Sequence, residues 1–352
     1  MGVIVVGSFM YDLMVEAPRR PELGETLRGT AFRRSVGGKG FNQAVASARA
    51  GARTEMVGML GDDPFGAEFR EVMDAEGIIS THVASCAEGH SGTGVGMPVV
   101  YPDGNNSIII IPRANEEMGV PEIESAAGSI ADADVLLMQL EIPNDAVLRA
   151  AEVGQQAGTK VVLNPAPFRD LPPRIWALVD LFTPNEGELR AFCRSLGLGG
   201  EGPIDDLAKA FAGRLDVEVV VTLGDAGLLH VKPAGSVGHI RGHRVHAVDT
   251  VGAGDTFCGA LCAQLAQGVD LPQALEFANA AAALSVTRAG SGTSSPSAED
   301  VQSVLINGFP EVASGCSRIV RKSVLMAIWT APRGSNSFSW RCSSPCGPLL
   351  PR

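Results

Sequence analysis

The chain has 352 residues, 45% of them hydrophobic and 19% charged, which allows a large core in one α/β domain or two smaller ones. A formal charge of -11 and a pI near 5.1 argue against a general nucleic-acid or anionic-membrane binder. They leave phosphate ligands open, since backbone amides hold anions even on an acidic protein. No run approaches the ~18 apolar residues of a membrane span, and the N-terminal apolar run lacks a basic flank. The seven cysteines show no framework, as expected of reduced thiols in a cytoplasmic protein.

The run VIVV at 3–6 is the first of several short apolar stretches, each followed by a helical pattern. The others lie at 135–140, 160–164, 180–184 and 217–222. Continuous apolar strands alternating with helices predict a mainly parallel sheet covered on both faces. Ligands of such sheets bind beyond the carboxyl ends of the strands. There the chain places Gly7 and Ser8, then Glu141, Asn164, Asn185 and Gly224.

Residues 35–52, SVGGKGFNQAVASARAGA, set a glycine turn ahead of a helical pattern. The spacing is not that of a Walker A loop. Backbone amides followed by Asn42 at a helix start suit sugar hydroxyls. Residues 94–111 hold two strand-like runs around Pro102, Asp103, Gly104 and Asn105, a hairpin turn. A hairpin set into a βα series is expected to act as a lid.

Residues 246–261 read HAVDTVGAGDTFCGAL. Phe257, Leu261 and Leu265 recur at helical spacing up to Gly268, so Gly252, Ala253 and Gly254 stand at a helix N-terminus. Free N–H groups and the helix dipole favour an anion there. An isolated acid in a first turn is usually a cap, but glycine on both sides of Ala253 leaves the amides open to close approach. A carboxylate beside such a cradle can accept a hydroxyl proton while the amides stabilise phosphoryl charge. Cys258 and Cys262 share this helix without further ligands at metal spacing. From residue 309 six cations face one acid without sustained periodicity, so 309–352 is expected to be a poorly ordered appendage to a domain spanning 1–308.

Together these stretches resemble the ribokinases of the PfkB carbohydrate kinase family. Nine motifs follow the family's order: GSFMYDL (7–13), GETLRG (24–29), GGKGFNQA (37–44), LMQLEIP (137–143), NPAP (164–167), PNEGEL (184–189), VTLGDAG (221–227), DTVGAGDTFCGAL (249–261) and FANAAAALSVT (277–287). The resemblance implies a ribokinase-like three-layer α/β/α sandwich with a mainly parallel central sheet and a small β-sheet lid, built from about 9–36 and 94–112. It implies ATP-dependent phosphorylation of D-ribose at the 5-hydroxyl, with Asp255 as base and the amides of Gly252, Ala253 and Gly254 as anion hole. Met10, Asp12, Gly38, Lys39, Gly40, Asn42, Glu141 and Asp255 would line the sugar pocket. Asn185, Thr222, Leu223, Gly224, Asp225, Ala226, Gly227, Gly254 and Asn279 would frame ATP, and Glu188 would organise Mg2+, mainly through water. An activating monovalent cation, K+, would lie at Asp249, Val251, Ser285, Arg288, Gly290 and Ser294, several of them through carbonyls. A homodimer clasped through the lids is implied as well.

Met10 bears on the substrate. Many bacterial ribokinases carry Asn there, and a thioether cannot match an amide's hydrogen bonds to a sugar hydroxyl. A 2-deoxyribose kinase, or another pentose or nucleoside kinase of the family, is therefore the alternative. A non-enzymatic sugar-binding regulator on the same fold is disfavoured by the intact base and anion-hole motif.

Overall fold

Runs of Val, Ile and Leu become central strands where both faces can be covered, and the helical patterns between them supply the cover. In the computed structural model, which describes residues 2–86, 91–103, 105–290 and 292–309, this series is realised as follows. The N-terminal part runs β1 (Gly2–Val6), β2 (Met10–Glu16), β3 (Ala31–Gly37), α1 (Lys39–Arg49), β4 (Arg53–Leu60), α2 (Pro64–Ala75), β5 (Ile79–Ser85), β6 (Gly94–Val100) and β7 (Asn106–Ile111). Three short helices follow, α3 (Ala114–Glu117), α4 (Val120–Ser125) and α5 (Ala127–Asp132). Next come β8 (Val135–Met138), α6 (Asn144–Ala157), β9 (Lys160–Leu163), β10 (Leu181–Phe182), α7 (Glu186–Ser195), α8 (Ile204–Leu215) and β11 (Glu218–Thr222). The series closes with β12 (Gly227–Val231), β13 (Val237–Arg241), α9 (Ala253–Ala266), α10 (Leu271–Ser285) and α11 (Ala298–Asn307).

The central sheet has nine strands in the order β13-β12-β11-β10-β9-β8-β1-β4-β5. Pairing is parallel except at β12 and β13. The five strands visible as apolar runs, β1, β8, β9, β10 and β11, are its contiguous middle. The strands that the apolar runs did not reveal flank them. Glu55 and Gly58 interrupt β4, while β5 and β13 lie at the sheet edges with exposed or half-buried residues that blur the pattern.

Alternate residues of β1 point to opposite faces, Val3 and Val5 into one core and Ile4 and Val6 into the other. The result is three layers. On the Val3 side lie α1, α9 and α10. Helix α9 is apolar nearly all round and accordingly buried nearly all round. It meets α1 where Gly259 leaves no room: a Cβ there would stand 2.4 Å from the Gln43 carbonyl oxygen.

A separate four-stranded sheet, β3-β2-β6-β7, rises from the ends of β1 and α1. The β6–β7 hairpin is antiparallel, as its turn residues predict. Phe9, Phe41 and Phe69 pack with tilted and edge-on rings beneath the junction, with centroids 4.9–6.0 Å apart. Asn115 ties the same junction, accepting from the Phe9 amide at 2.9 Å and donating to the Phe9 carbonyl at 2.7 Å. The proposed appendage, apart from Phe309, lies outside the described residues. Phe309 itself packs against the His243 ring at 4.5 Å.

Candidate active site

The site forms where α1 and α9 begin, above the carboxyl ends of β1, β8 and β9. Gly252 is the N-cap of α9 with φ 80, a left-handed conformation that favours glycine. Ala253 and Gly254 open the helix, where the first N–H groups lack a helical partner, and the Ala253 amide reaches only the Thr250 carbonyl, at 3.5 Å. A Cβ on Gly254 would meet nothing within 4 Å, leaving open space over the amides.

Asp255 is buried in that first turn, but it does not serve as a cap. Its Oδ2 accepts from Asn42 Nδ2 at 3.0 Å and its Oδ1 from Gln43 Nε2 at 3.1 Å. Burial pushes its carboxyl above the ordinary carboxylate range, opposed by Lys39 and by the two amides, while Glu141 adds to the rise. For Lys39, burial alone would lower the ammonium, but Asp255, Glu141 and Glu188 hold it above its ordinary value. A carboxylate beside a retained cation can take up a hydroxyl proton.

The start of α1 is pressed onto the chain between β1 and β2. Gly38, its N-cap at φ 93, would place a Cβ 2.6 Å from the Met10 amide, and Gly40 one 2.4 Å from the Ser8 amide. Glu141, just past β8, completes the join. Its Oε2 accepts from Ser8 Oγ at 2.5 Å and from the Lys39 amide at 2.9 Å. Met10 is buried at the head of β2, and Asp12 lies two residues on, facing the same side. Desolvation, then Glu141, pushes the Asp12 carboxyl up to about 6. Two glycines on neighbouring strands make room for it: a Cβ on Gly96 would stand 2.2 Å from its Oδ1 and one on Gly37 2.9 Å from its Oδ2. Met10, Asp12, Gly38, Lys39, Gly40, Asn42, Glu141 and Asp255 thus converge on one place.

The residues expected to hold the nucleotide form a second group. Asn185 caps α7 in a reciprocal box with Glu188, and the Thr222 amide donates to the Pro184 carbonyl at 3.0 Å. Thr222 ends β11, and Leu223, Gly224, Asp225, Ala226 and Gly227 turn tightly into β12, closed by the Leu223 amide on the Gly227 carbonyl at 2.8 Å. Asn279 joins this group from α10. Its amide Nδ2 donates to the Arg241 carbonyl at 2.8 Å and ties α10 to the end of β13.

Glu188 is buried, and one of its oxygens is taken by the Asn185 amide at 2.8 Å. The other, Oε1, is buried without a hydrogen-bond partner among the described residues. Burial raises its carboxyl, against the Asn185 amide and Lys39. An orphaned carboxylate oxygen of this kind fits a hydrated hard cation such as Mg2+.

The six positions expected around a monovalent cation are brought together in part. The Val248 and Asp249 amides donate to the Val286 carbonyl at 2.7 and 3.2 Å, and Asp249 Oδ2 lies 3.4 Å from the Gly290 amide. Asp249 Oδ1 accepts from the Val251 amide at 3.0 Å, and Ser294 is buried in the following turn. A carboxylate with nearby backbone carbonyls is a donor set that fits a hard cation. Side chains do less here than position suggests. Arg288 points to Asp300 at 2.9 Å, so only its backbone remains for an ion, while Ser285 Oγ donates to the Ala282 carbonyl at 2.9 Å and the Ser285 carbonyl accepts from the Arg288 amide at 3.1 Å.

Cys258 and Cys262 are core thiols beneath the site. Burial pushes Cys258 up to about 12, and its Sγ lies 3.5 Å from Thr183 Oγ1. Residues that the motif reading did not single out are Gly96, Gln43 and Gln139. Each acts through a neighbour distant in sequence, a relationship no local pattern carries.

Comparison with known proteins bears on the family and the fold. The model of the pfkB family carbohydrate kinases matches residues 2–298. The chain is 35% identical over 296 residues to a ribokinase of Haemophilus influenzae, covering 84% of this chain and 95% of that protein. It is 34% identical over 306 residues to a deoxyribokinase of Salmonella typhi, covering 87% and 99%. Among solved structures, an Arabidopsis thaliana ribokinase complexed with ribose and ATP superposes with a TM-score of 0.78 at 31% identity, covering 86% of this chain and 98% of that one. The motifs, the three-layer sheet with its small second sheet, and these likenesses agree: the chain belongs to the pfkB family of carbohydrate kinases and is a sugar kinase.

Proposed function

We propose that the protein transfers the γ-phosphoryl group of ATP to the 5-hydroxyl of D-ribose, giving ribose 5-phosphate and ADP. The observation that carries this reading is Asp255: a buried carboxylate in the first turn of α9, held by the side-chain amides of Asn42 and Gln43 and not used as a cap. Asp255 takes the proton of the sugar hydroxyl as its oxygen bonds to the γ-phosphorus. The bond from phosphorus to the bridging oxygen breaks, and ADP leaves. The amides of Gly252, Ala253 and Gly254 stabilise the charge of the transferring group. Asp12 orients the sugar, and Gly38, Lys39, Gly40, Asn42 and Glu141 form its bed.

Glu188, with Asn185, would hold Mg2+ near the phosphates, and bound Mg2+ supplies charge neutralisation for phosphoryl transfer. Asp249, Val251, Ser285, Arg288, Gly290 and Ser294 would hold K+, several of them through backbone carbonyls. The β6–β7 hairpin covers the sugar and excludes water that would compete for the phosphoryl group. Its outer strand β7 leaves Ile108, Ile109, Ile110 and Ile111 exposed on both its faces, apolar surface suited to a second copy of the chain. Buried reduced thiols suit action in the cytoplasm.

Met10 supports a second reading, a 2-deoxyribose kinase. It is buried beside Asp12 and offers no hydrogen bond to a 2-hydroxyl. Absence of that bond would cost ribose about 1 kcal/mol or more of discrimination. ADP release measured with ribose, 2-deoxyribose, fructose and adenosine, with and without K+, separates the readings. Ribose is expected to turn over fastest. Deoxyribose turning over as fast or faster would replace the first reading with the second.

A further inference from the structure

The carboxylate of Asp255 is held by a buried chain of amides rooted in the ends of three neighbouring strands. Gln139 follows β8, Asn164 follows β9 and Thr183 follows β10. The Thr183 carbonyl is a backbone acceptor and cannot turn round. It accepts from Asn164 Nδ2 at 2.8 Å, which leaves Asn164 Oδ1 to face Gln43. Gln43 Nε2 donates to that oxygen at 3.0 Å and to Asp255 Oδ1 at 3.1 Å, while its own Oε1 accepts from Gln139 Nε2 at 2.6 Å. Each amide orientation follows from the one before, beginning with a fixed carbonyl. A reversed Gln43 would set an oxygen against both Asn164 Oδ1 and the Asp255 carboxylate.

Gln139 shows the direction of the design. Its Oε1 is buried without a partner among the described residues, facing Gly7, where a Cβ would stand 2.0 Å away. A buried acceptor left unsatisfied is unfavourable. What the side chain does make is the donation that locks Gln43.

We propose that Gln43, locked by Gln139 and Asn164, is a positioning residue that aims one oxygen of Asp255 and keeps it an ionised acceptor for the sugar proton. The proposal rests on the reading of Asp255 as the base. The charged and titratable groups facing Asp255 are Lys39 on α1, Glu141 after β8, Glu188 on α7 and Cys258 on α9 itself. All four remain in the variants below, so a change of profile reports the amide.

The test is steady-state kinetics of the full chain across pH, with thermal melts, for the Gln43→Met and Gln139→Met variants beside Asp255→Asn. Gln43→Met removes the donor without much change of volume. It is expected to lower kcat about tenfold or more while the sugar KM stays within about threefold. Loss of a donor to a carboxylate raises its pKa, so the acid limb should move up by about one pH unit. Gln139→Met keeps the donor but releases its lock, and a smaller shift in the same direction is expected. It carries the test alone if Gln43→Met does not fold. A folded variant with lowered melting temperature but unchanged kcat and acid limb would reduce the chain to a structural one and overturn the proposal. If Asp255→Asn abolishes turnover and the limb does not move, only the positioning role fails. If Asp255→Asn stays active, the base reading falls and this proposal with it.

Discussion

Asn42 and Asp255 are 213 residues apart in the chain, and their side chains meet at 3.0 Å. The contact exists because α1 and α9 cross closely at Gly259, and it extends further. Asn42 Oδ1 accepts from the Gly292 amide at 3.1 Å, in a turn where a Cβ would stand 2.6 Å from that oxygen. One amide therefore links the proposed base to the loop that carries the proposed cation positions. Arg49, two helical turns later on α1, holds the same loop by the Thr293 and Ser295 carbonyls at 2.9 and 2.8 Å.

Asp255→Asn preserves the volume and removes the proton acceptor. Turnover should fall by about 10³-fold, within the range of general-base losses. Sugar binding, measured by calorimetry, should persist.

Asp12 ties binding to stability through pH. Its folded pKa of about 6 lies above the unfolded value, so the native state holds the proton more tightly. Stability should then fall as pH rises from about 4 to about 6, by about 3 kcal/mol in all. Asp12→Asn should remove this slope, melt higher than the parent at pH 7, and raise the sugar KM about tenfold or more. Melts at pH 4 and pH 7 beside sugar titrations check both halves.

Gly96 sits on β6 directly across from Asp12 on β2. Gly96→Ala would drive a methyl group to 2.2 Å from Asp12 Oδ1 and 3.5 Å from Met10 Cγ. The sugar KM should rise about tenfold or more, while the KM for ATP, measured at saturating sugar, stays near the parent value. A proportionate rise in both would place the damage elsewhere.

Glu188→Gln keeps an oxygen to accept from the Asn185 amide and so keeps the cap of α7. It deletes the charge behind the unpartnered Oε1. The Mg2+ concentration giving half-maximal activity should rise about tenfold, with a melting temperature equal to or above the parent's because a buried charge is gone.

Ile109 on β7 is 64% exposed within a run of exposed isoleucines, more apolar surface than an edge strand usually leaves to water. Ile109→Glu should convert a dimer to a monomer in light scattering. A parent that is already monomeric at micromolar concentration would remove the lid-to-lid clasp.

By itself the sequence determined the architecture and the chemical parts. Apolar runs at β1, β8, β9, β10 and β11 had to be central strands, because only a sheet covered on both faces buries such runs. The glycines ahead of Asp255 had to be a helix mouth, because the apolar spacing begins directly behind them. Those are local facts, written in period and turn chemistry. Which partner each polar side chain takes was decided only by the tertiary structure. Asn279 on α10 donates to the Arg241 carbonyl, 38 residues away in the chain. Arg113 donates to the Thr93 carbonyl at 3.0 Å, across 20 residues of chain. Gln43 looks like any helical glutamine until Gln139, Asn164 and Asp255 surround it. The physical reason is that a buried hydrogen bond depends on two groups arriving in register from elements far apart in the chain. Only the packing of α1 and α9 on the strand ends brings them there.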